Sequence, residues 1–278
     1  MRRVRDRGFW VLCGLAFVII AAPCIWLIIS IFKQAWPQLG WHLLTKNTAG
    51  TGGGLKNAIE GTLVLLAGVL VVMAIVGVPA GIYIAEFAPR RLGRVLRFFS
   101  EVLAGMPSII IGYVGYLAIV VGLHWGYSIY AGILALSVLV LPYVVKTTEV
   151  SLRQVPTALR EGAAGLGLPR GKTTWRILMP PAIPGIMSGI IIALAISTGE
   201  TAPLLFTANF SNQSPTFTLH NSPVGYLTYV TYNNFQIPGG APMAAAAGAV
   251  TLILLLILII IGRLVAAWAR RSTGQMQL

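Results

Sequence analysis

The sequence predicts an all-α, polytopic membrane protein with six transmembrane helices. Three observations carry that expectation: an apolar composition, apolar residues gathered into long blocks, and basic residues gathered into alternate gaps between the blocks. Of the 278 residues, 56% are hydrophobic and 10% charged, whereas a soluble domain carries about 25% charged residues. With a mean hydropathy of +0.82, the chain has too little polar surface to cover itself in water. A hydrocarbon layer accounts for both the composition and the blocks.

The blocks run over 9–32, 61–85, 102–121, 128–145, 182–205 and 242–268. Most reach the ~20 residues that a helix rising 1.5 Å per residue needs to cross a core about 30 Å thick. The fourth is short, so it either crosses nearly upright or continues past Pro142. The first follows Arg2, Arg3, Arg5 and Arg7 as a secretory signal would. Its apolar run is longer than a signal's, and no small-x-small cleavage pattern ends it, so it reads as a retained anchor.

Charge orients the helices. Of the 20 Lys and Arg, only Lys33, Lys46 and Lys56 fall in odd-numbered gaps between spans. The rest precede the first span, lie at the far end of the last or beyond it (Arg263, Arg270, Arg271), or lie between spans two and three (Arg90, Arg91, Arg94, Arg97) and four and five (Lys146, Arg153, Arg160, Arg170, Lys172, Arg176). The positive-inside rule places this rich side, with both termini, in the cytoplasm. The net charge of +13 fits anchoring to anionic head groups, and no nucleic-acid partner is expected. Cys13 and Cys24 lie about 16 Å apart along one helix, too far to bridge, and the three His are scattered, so no metal site is expected.

Residues 1–57 read as an anchor helix plus an external loop made flexible by Thr51, Gly52, Gly53 and Gly54. Residues 58–268 read as a tighter transmembrane unit, and 269–278 as a cytoplasmic tail. Trp36, Trp41, Trp125, Tyr127 and Trp268 sit where an interfacial aromatic belt belongs. The external loop 206–241 has no Lys, Arg, Asp or Glu; it reads either as a loop packed on its neighbours or as a gate that must not trap an ionic solute. Gly77 and Gly81, then Gly185 and Gly189, recur four apart on one helix face, the spacing that admits a close neighbour. Pro79, Pro107, Pro142, Pro184 and Pro203 mark kinks or breaks.

The cytoplasmic segment 150–181 holds the most specific pattern. In Ala158 to Pro169 the residues Arg160, Ala163, Ala164 and Gly167 recur at three- and four-residue steps, giving a short helix with a small, smooth face and Glu161 at its edge. Gly167 stops that helix and Pro169 suits the turn after it. The segment resembles the coupling loop of permease subunits of binding-protein-dependent ABC importers: Glu-Ala-Ala, a Gly four residues on, then nine residues to an Ile and a closing Leu-Pro. Glu161, Gly162, Ala163, Gly167, Ile177, Met179 and Pro180 fall on this spacing. Gly162 and Met179 replace Ala and Leu; the glycine weakens a helix by about 0.8–1 kcal/mol.

The resemblance implies a type I ABC importer permease fold, and a loop docked in a cytoplasmic ATPase through Glu161, Ala163 and Gly167. Further stretches resemble the PstA-type permeases of phosphate importers: Gly199-Glu200-Thr201-Ala202-Pro203, Gly81 to Pro89, Leu103 to Ser108, and Pro223 to Asn233. The family implied is an inner-membrane component, in a bacterial plasma membrane. Its partners would be a PstC-like second permease subunit, two copies of a PstB-like ATPase that carry ATP and Mg, and a PstS-like external phosphate-binding protein. This chain has no Gly-x-x-x-x-Gly-Lys-Ser/Thr loop, so it is expected to bind no cofactor and to be no enzyme itself.

The PstA-type pattern usually has an Arg three residues before the Gly of Gly-Glu-Thr-Ala-Pro; here that position is Ile196. Either another residue or the partner supplies the positive charge, or neutral donors meet the anion, or the cargo differs. Glu200 inside a span calls for a polar setting, since insertion costs about 2.5–3.5 kcal/mol. It is expected to pair with the partner permease or to hold the broken helix. Ser197, Thr198, Gly199 and Thr201 offer neutral groups to an oxyanion, while Pro107, Ser108 and Pro203 break helices beside the path. A permease for another oxyanion and a non-transport membrane scaffold are the rival readings. A secondary transporter is disfavoured, since no repeated pair of spans and no array of intramembrane carboxylates occurs.

Overall fold

A computed structural model describes residues 2–274, which leaves 275–278 of the expected tail outside the described residues. The helices are α1 (Arg2–Ala35), α2 (Lys56–Phe87), α3 (Arg90–Ala104), α4 (Ser108–Gly122), α5 (Ile129–Arg153), α6 (Thr157–Gly165), α7 (Arg170–Gly199), α8 (Ala202–Thr207), α9 (Leu227–Gln236) and α10 (Ala241–Gly274). Five of them (α1, α2, α5, α7 and α10) are long and apolar enough to cross a membrane, and the bent pair α3–α4 makes the sixth when counted as one span. The chain is a mostly helical multi-pass membrane protein.

The third apolar block, expected as a span over 102–121 with a kink or break at Pro107 and Ser108, does break there. The chain turns by 101° between α3 and α4. Gly105 ends α3, and Pro107, with no N–H to give and a ring that bars helical geometry at Met106, forces the chain into extended form before Ser108. The fourth span continues past Pro142 to Arg153, as the longer of its two readings had it. The segment 33–57, expected to be flexible, is stapled instead. Asn57 accepts from the Thr48 N–H at 2.9 Å and donates to Ser211 O at 2.8 Å, and Thr48 reaches Asn212 at 2.8 Å. Leu43 and Leu55 are buried beside Leu227 and Met243, so apolar side chains among the glycines anchor what composition suggested was loose.

Helix α5 is the centre of the bundle: 61% of its most apolar stretch is buried, against 0% for α1. Leu136, Val140, Val144 and Leu152 of α5 meet Leu65, Val69 and Met73 of α2 and Ile186, Ile190 and Ala193 of α7. The two glycine pairs find the same neighbour. A Cβ on Gly81 would come within 2.7 Å of Val145 O. One on Gly189 would strike Thr147. One flanking helix therefore meets the α5 backbone and the other packs tightly on an α5 side chain, which van der Waals packing in lipid rewards. Helix α1 packs on α10 at the edge.

Two proline sites are relieved in the same way. Wide, π-type turns at Met73–Gly77 and Thr174–Leu178 immediately precede Val78-Pro79 and Met179-Pro180. A proline ring crowds the carbonyl one turn back, and widening that turn makes room.

Candidate coupling segment and helix breaks

Helix α6 begins after Pro156 and ends in a Schellman closure. The Gly167 N–H donates to Ala164 O at 3.0 Å and the Leu168 N–H to Ala163 O at 3.1 Å. This closure needs a left-handed residue, and Gly167 has φ +67°. Pro169 then opens the next helix, where Thr174 and Leu178 are buried.

The sequence motif divides in two on this frame. Glu161, Gly162 and Gly167 are exposed, and Leu166 is 80% exposed. Ala163 is 2% exposed, so it does not face outward as the expected smooth docking face required. The reason lies three residues earlier: Arg160 shares its helix face and is drawn inward. Its Nη1 and Nη2 donate to the two carboxylate oxygens of Glu86 at 2.6 and 2.8 Å, and Nη2 also donates to Leu152 O at 2.8 Å. Hydrogen bonding to Glu86 holds the Arg160 guanidinium above its ordinary pKa, so the cation stays charged in a two-point contact. Ile177 and Pro180 are half-buried at the foot of α7, with Ile177 packed against the core.

At the far end of α7 the helix stops at Gly199, Glu200 turns extended (ψ 133°), and α8 starts at Ala202. Ser197 and Thr198 are buried; their hydroxyls donate to Ala193 O at 2.9 Å and Leu194 O at 2.7 Å. Together with Thr62, Glu200, Tyr226 and Thr228 they line a cavity of only about 10 Å³, room for about one water. Gly199 is exposed and Thr201 half-buried. The Thr228 hydroxyl donates to Glu200 O at 3.0 Å and ties the break to α9. Among the described residues no hydrogen bond or ion pair reaches the Glu200 carboxylate, and Ile196 packs against the core. Among the described residues no cation lines that cavity.

Pro203 is buried against α4, where Gly112 lets the two backbones meet, and Tyr113 and Phe206 stack edge to face at 6.2 Å. Gly115 faces Thr207 one turn further on, so α4 and α8 run in the same direction. The structure thus joins the segments that follow the two breaks. Pro107 itself is exposed and Ser108 half-buried.

Sequence reasoning missed two charged clusters. Glu86 lies in a stretch quoted only for its resemblance, 74 residues from Arg160. Glu149, beyond the apolar block 128–145, is 7% exposed and holds both Arg97 and Arg153. An acidic residue continuing the helical repeat past Pro142 was the available signal.

Known proteins agree with this arrangement. The sequence pattern of the family described as binding-protein-dependent transport system inner membrane component matches residues 77–271. The phosphate transport system permease protein PstA 2 of Mycobacterium bovis is 47% identical over 237 residues, covering 85% of this chain and 79% of that protein. PstA of Pasteurella multocida is 39% identical over 74% of each chain. In fold, the chain is similar to the methionine ABC transporter MetNI in its inward-facing conformations, with a TM-score of 0.65 and 18% identity over 77% of this chain and 95% of that one. A chain of this kind is the permease subunit of an ABC-type importer. The chain belongs to the family of binding-protein-dependent transport system inner membrane components, among its PstA-type permeases.

Proposed function

We propose that this chain forms, with a PstC-like second permease subunit, the path for ATP-driven import of inorganic phosphate across a bacterial plasma membrane. The observation that carries the cargo is the 47% identity to a phosphate transport permease over most of both chains. Both termini and the segment 150–181 lie in the cytoplasm, on the charge asymmetry described above. Two PstB-like ATPase subunits bind ATP and Mg there, and a PstS-like protein delivers phosphate on the other side. Residues 1–57 anchor and brace the permease unit that follows.

The outer part of α6, with Glu161, Gly162, Leu166 and Gly167, docks in an ATPase groove. Movement of α6 is passed on by Arg160 to Glu86 at the end of α2 and to Leu152 of α5. Ile177 and Pro180 carry it into α7, whose break at Gly199–Thr201 stands beside α4. The small cavity at Ser197 and Thr198 widens when these helices shift. Glu200, without a partner in its own chain among the described residues, meets a basic residue of the second permease.

Ile196 specifically favours a second reading, a permease of the same family for another oxyanion. Uptake of labelled phosphate by the assembled complex, challenged with unlabelled phosphate, sulfate or molybdate, separates the two. Competition by phosphate alone is expected. Stronger competition by another oxyanion transfers the cargo to the second reading.

A further inference from the structure

The described charges of the bundle are not spread evenly. The helix break around Glu200 holds no cation, while a wedge between α3 and α5, at the end that carries α6, holds three. The wedge encloses a cavity of about 340 Å³ lined by Arg97, Glu101, Tyr143, Lys146, Glu149 and Arg153 over an apolar floor that includes Ile84 and Pro142.

Its chemistry follows from how the carboxylate is shared. Arg97 Nε and Arg153 Nε both donate to the same oxygen, Oε1 of Glu149, at 2.7 and 2.8 Å. One largely buried carboxylate thus neutralises one of two guanidiniums. Neither arginine spends its terminal Nη groups on a hydrogen bond to another described residue. A guanidinium anchored through Nε keeps its Nη1–Nη2 edge for a bidentate contact, the geometry that suits a carboxylate or phosphate oxygen pair. Lys146 faces Glu101 at 3.9 Å with both side chains about two-thirds exposed, a pair too solvated to hold either charge firmly.

We propose that the wedge between α3 and α5 is an oxyanion-binding site, in which the free guanidinium edges of Arg97 and Arg153 grip a phosphate-class anion with Lys146 beside them. Glu149 aims the two arginines, and its second oxygen keeps the anion on their outer edges. Arg153 is the last residue of α5, just before Pro156 and α6, so movement of the coupling segment alters the spacing of the two grips. The site therefore holds an anion in one conformation and loosens it in the other. The anion is free phosphate or the phosphate of a lipid head group; only the first source rests on the import reading above.

Equilibrium binding of labelled inorganic phosphate to the nucleotide-free, fully assembled complex tests this, with the external binding protein left out. Nanodiscs of phosphatidylcholine are compared with nanodiscs containing phosphatidylglycerol. Arg97→Gln and Arg153→Gln are each expected to weaken binding about tenfold, the loss of a charge-assisted bidentate contact, and the double variant to remove it. The difference between intact and double-variant complexes isolates this cavity from phosphate held by the ATPase subunits. Where a Gln variant does not assemble, Arg→Lys at the same position keeps the charge without the fork and is expected to bind severalfold more weakly. Equal affinity in both lipids assigns the site to free phosphate; affinity lost with phosphatidylglycerol assigns it to the head group. Unchanged binding in the double variant overturns the site, as does absence of binding in both lipids. ATP-driven phosphate uptake without such binding overturns the site and leaves the import reading standing, whereas binding without uptake removes the import reading and leaves the site.

Discussion

Arg160 grips Glu86 through two hydrogen bonds of 2.6 and 2.8 Å, joining α6 to the end of a membrane span 74 residues earlier. Glu86 has a side chain 10% exposed and Arg160 one 30% exposed, so removing either leaves a charge with few alternatives. Arg160→Gln or Glu86→Gln is expected to cost about 1–3 kcal/mol, less than a fully buried pair because of solvent at the arginine. Each should also lower the uptake achieved per ATP hydrolysed. The charge-reversed double variant Glu86→Arg with Arg160→Glu should recover part of both losses. Melting of the purified complex and the transport-to-ATPase ratio measure this, and normal ratios in both single variants would remove the link from the coupling route.

The pair should not make coupling pH-dependent through arginine. A guanidinium raised above its ordinary pKa contributes its stabilisation at every pH below the unfolded-state value, and loses it only in strong alkali. The transport-to-ATPase ratio of the intact complex should therefore lose its difference from Arg160→Gln at no working pH between about 6 and 9.

Gly167 tests the shape of the α6 stop. Its φ is +67° and nothing lies within 4 Å of a Cβ placed there, so the penalty of a side chain is conformational, about 1–2 kcal/mol. Gly167→Asn should be tolerated better than Gly167→Val, because Asn visits the left-handed region more readily. With Gly167→Val, ATP hydrolysis should continue while transport falls.

Glu200→Gln should leave the melting of the isolated chain within about 0.5 kcal/mol of the original, as no described residue of this chain pairs with the carboxylate. In the assembled complex the same change should weaken the union of the two permeases or slow uptake. Normal assembly and uptake would deny Glu200 a partner across the interface.

Gly81→Val places branched carbons against the Val145 carbonyl and Thr148. Overpacking there should cost about 1–3 kcal/mol and be visible as a lower melting temperature. A larger loss is expected for Gly81→Val than for Gly105→Val, where a Cβ finds only ordinary contacts at 3.6 Å.

What the sequence makes legible follows from the range of the forces. The stop at Gly167-Leu168-Pro169 and the break at Gly199–Pro203 are local, set by backbone preferences of a few adjacent residues, and both stand where the residues imply. The break in the third block is local too, at Pro107, but its size is not legible, because hydropathy does not register direction: residues 102–121 are apolar on both sides of Pro107, yet the chain turns by 101° there. The inward turn of Ala163 depends on Glu86, and the stapling of 33–57 on Asn57 meeting Ser211. Neither partner is a sequence neighbour, so no window along the chain contains the cause.

Radiolabelled phosphate uptake into proteoliposomes holding this chain with its second permease, ATPase pair and external binding protein decides the matter. The intact chain should accumulate phosphate only when ATP is supplied, and Gly167→Val should abolish accumulation while hydrolysis persists. An assembled, ATP-hydrolysing complex that accumulates no phosphate, or one that transports equally well with Gly167→Val, would contradict it.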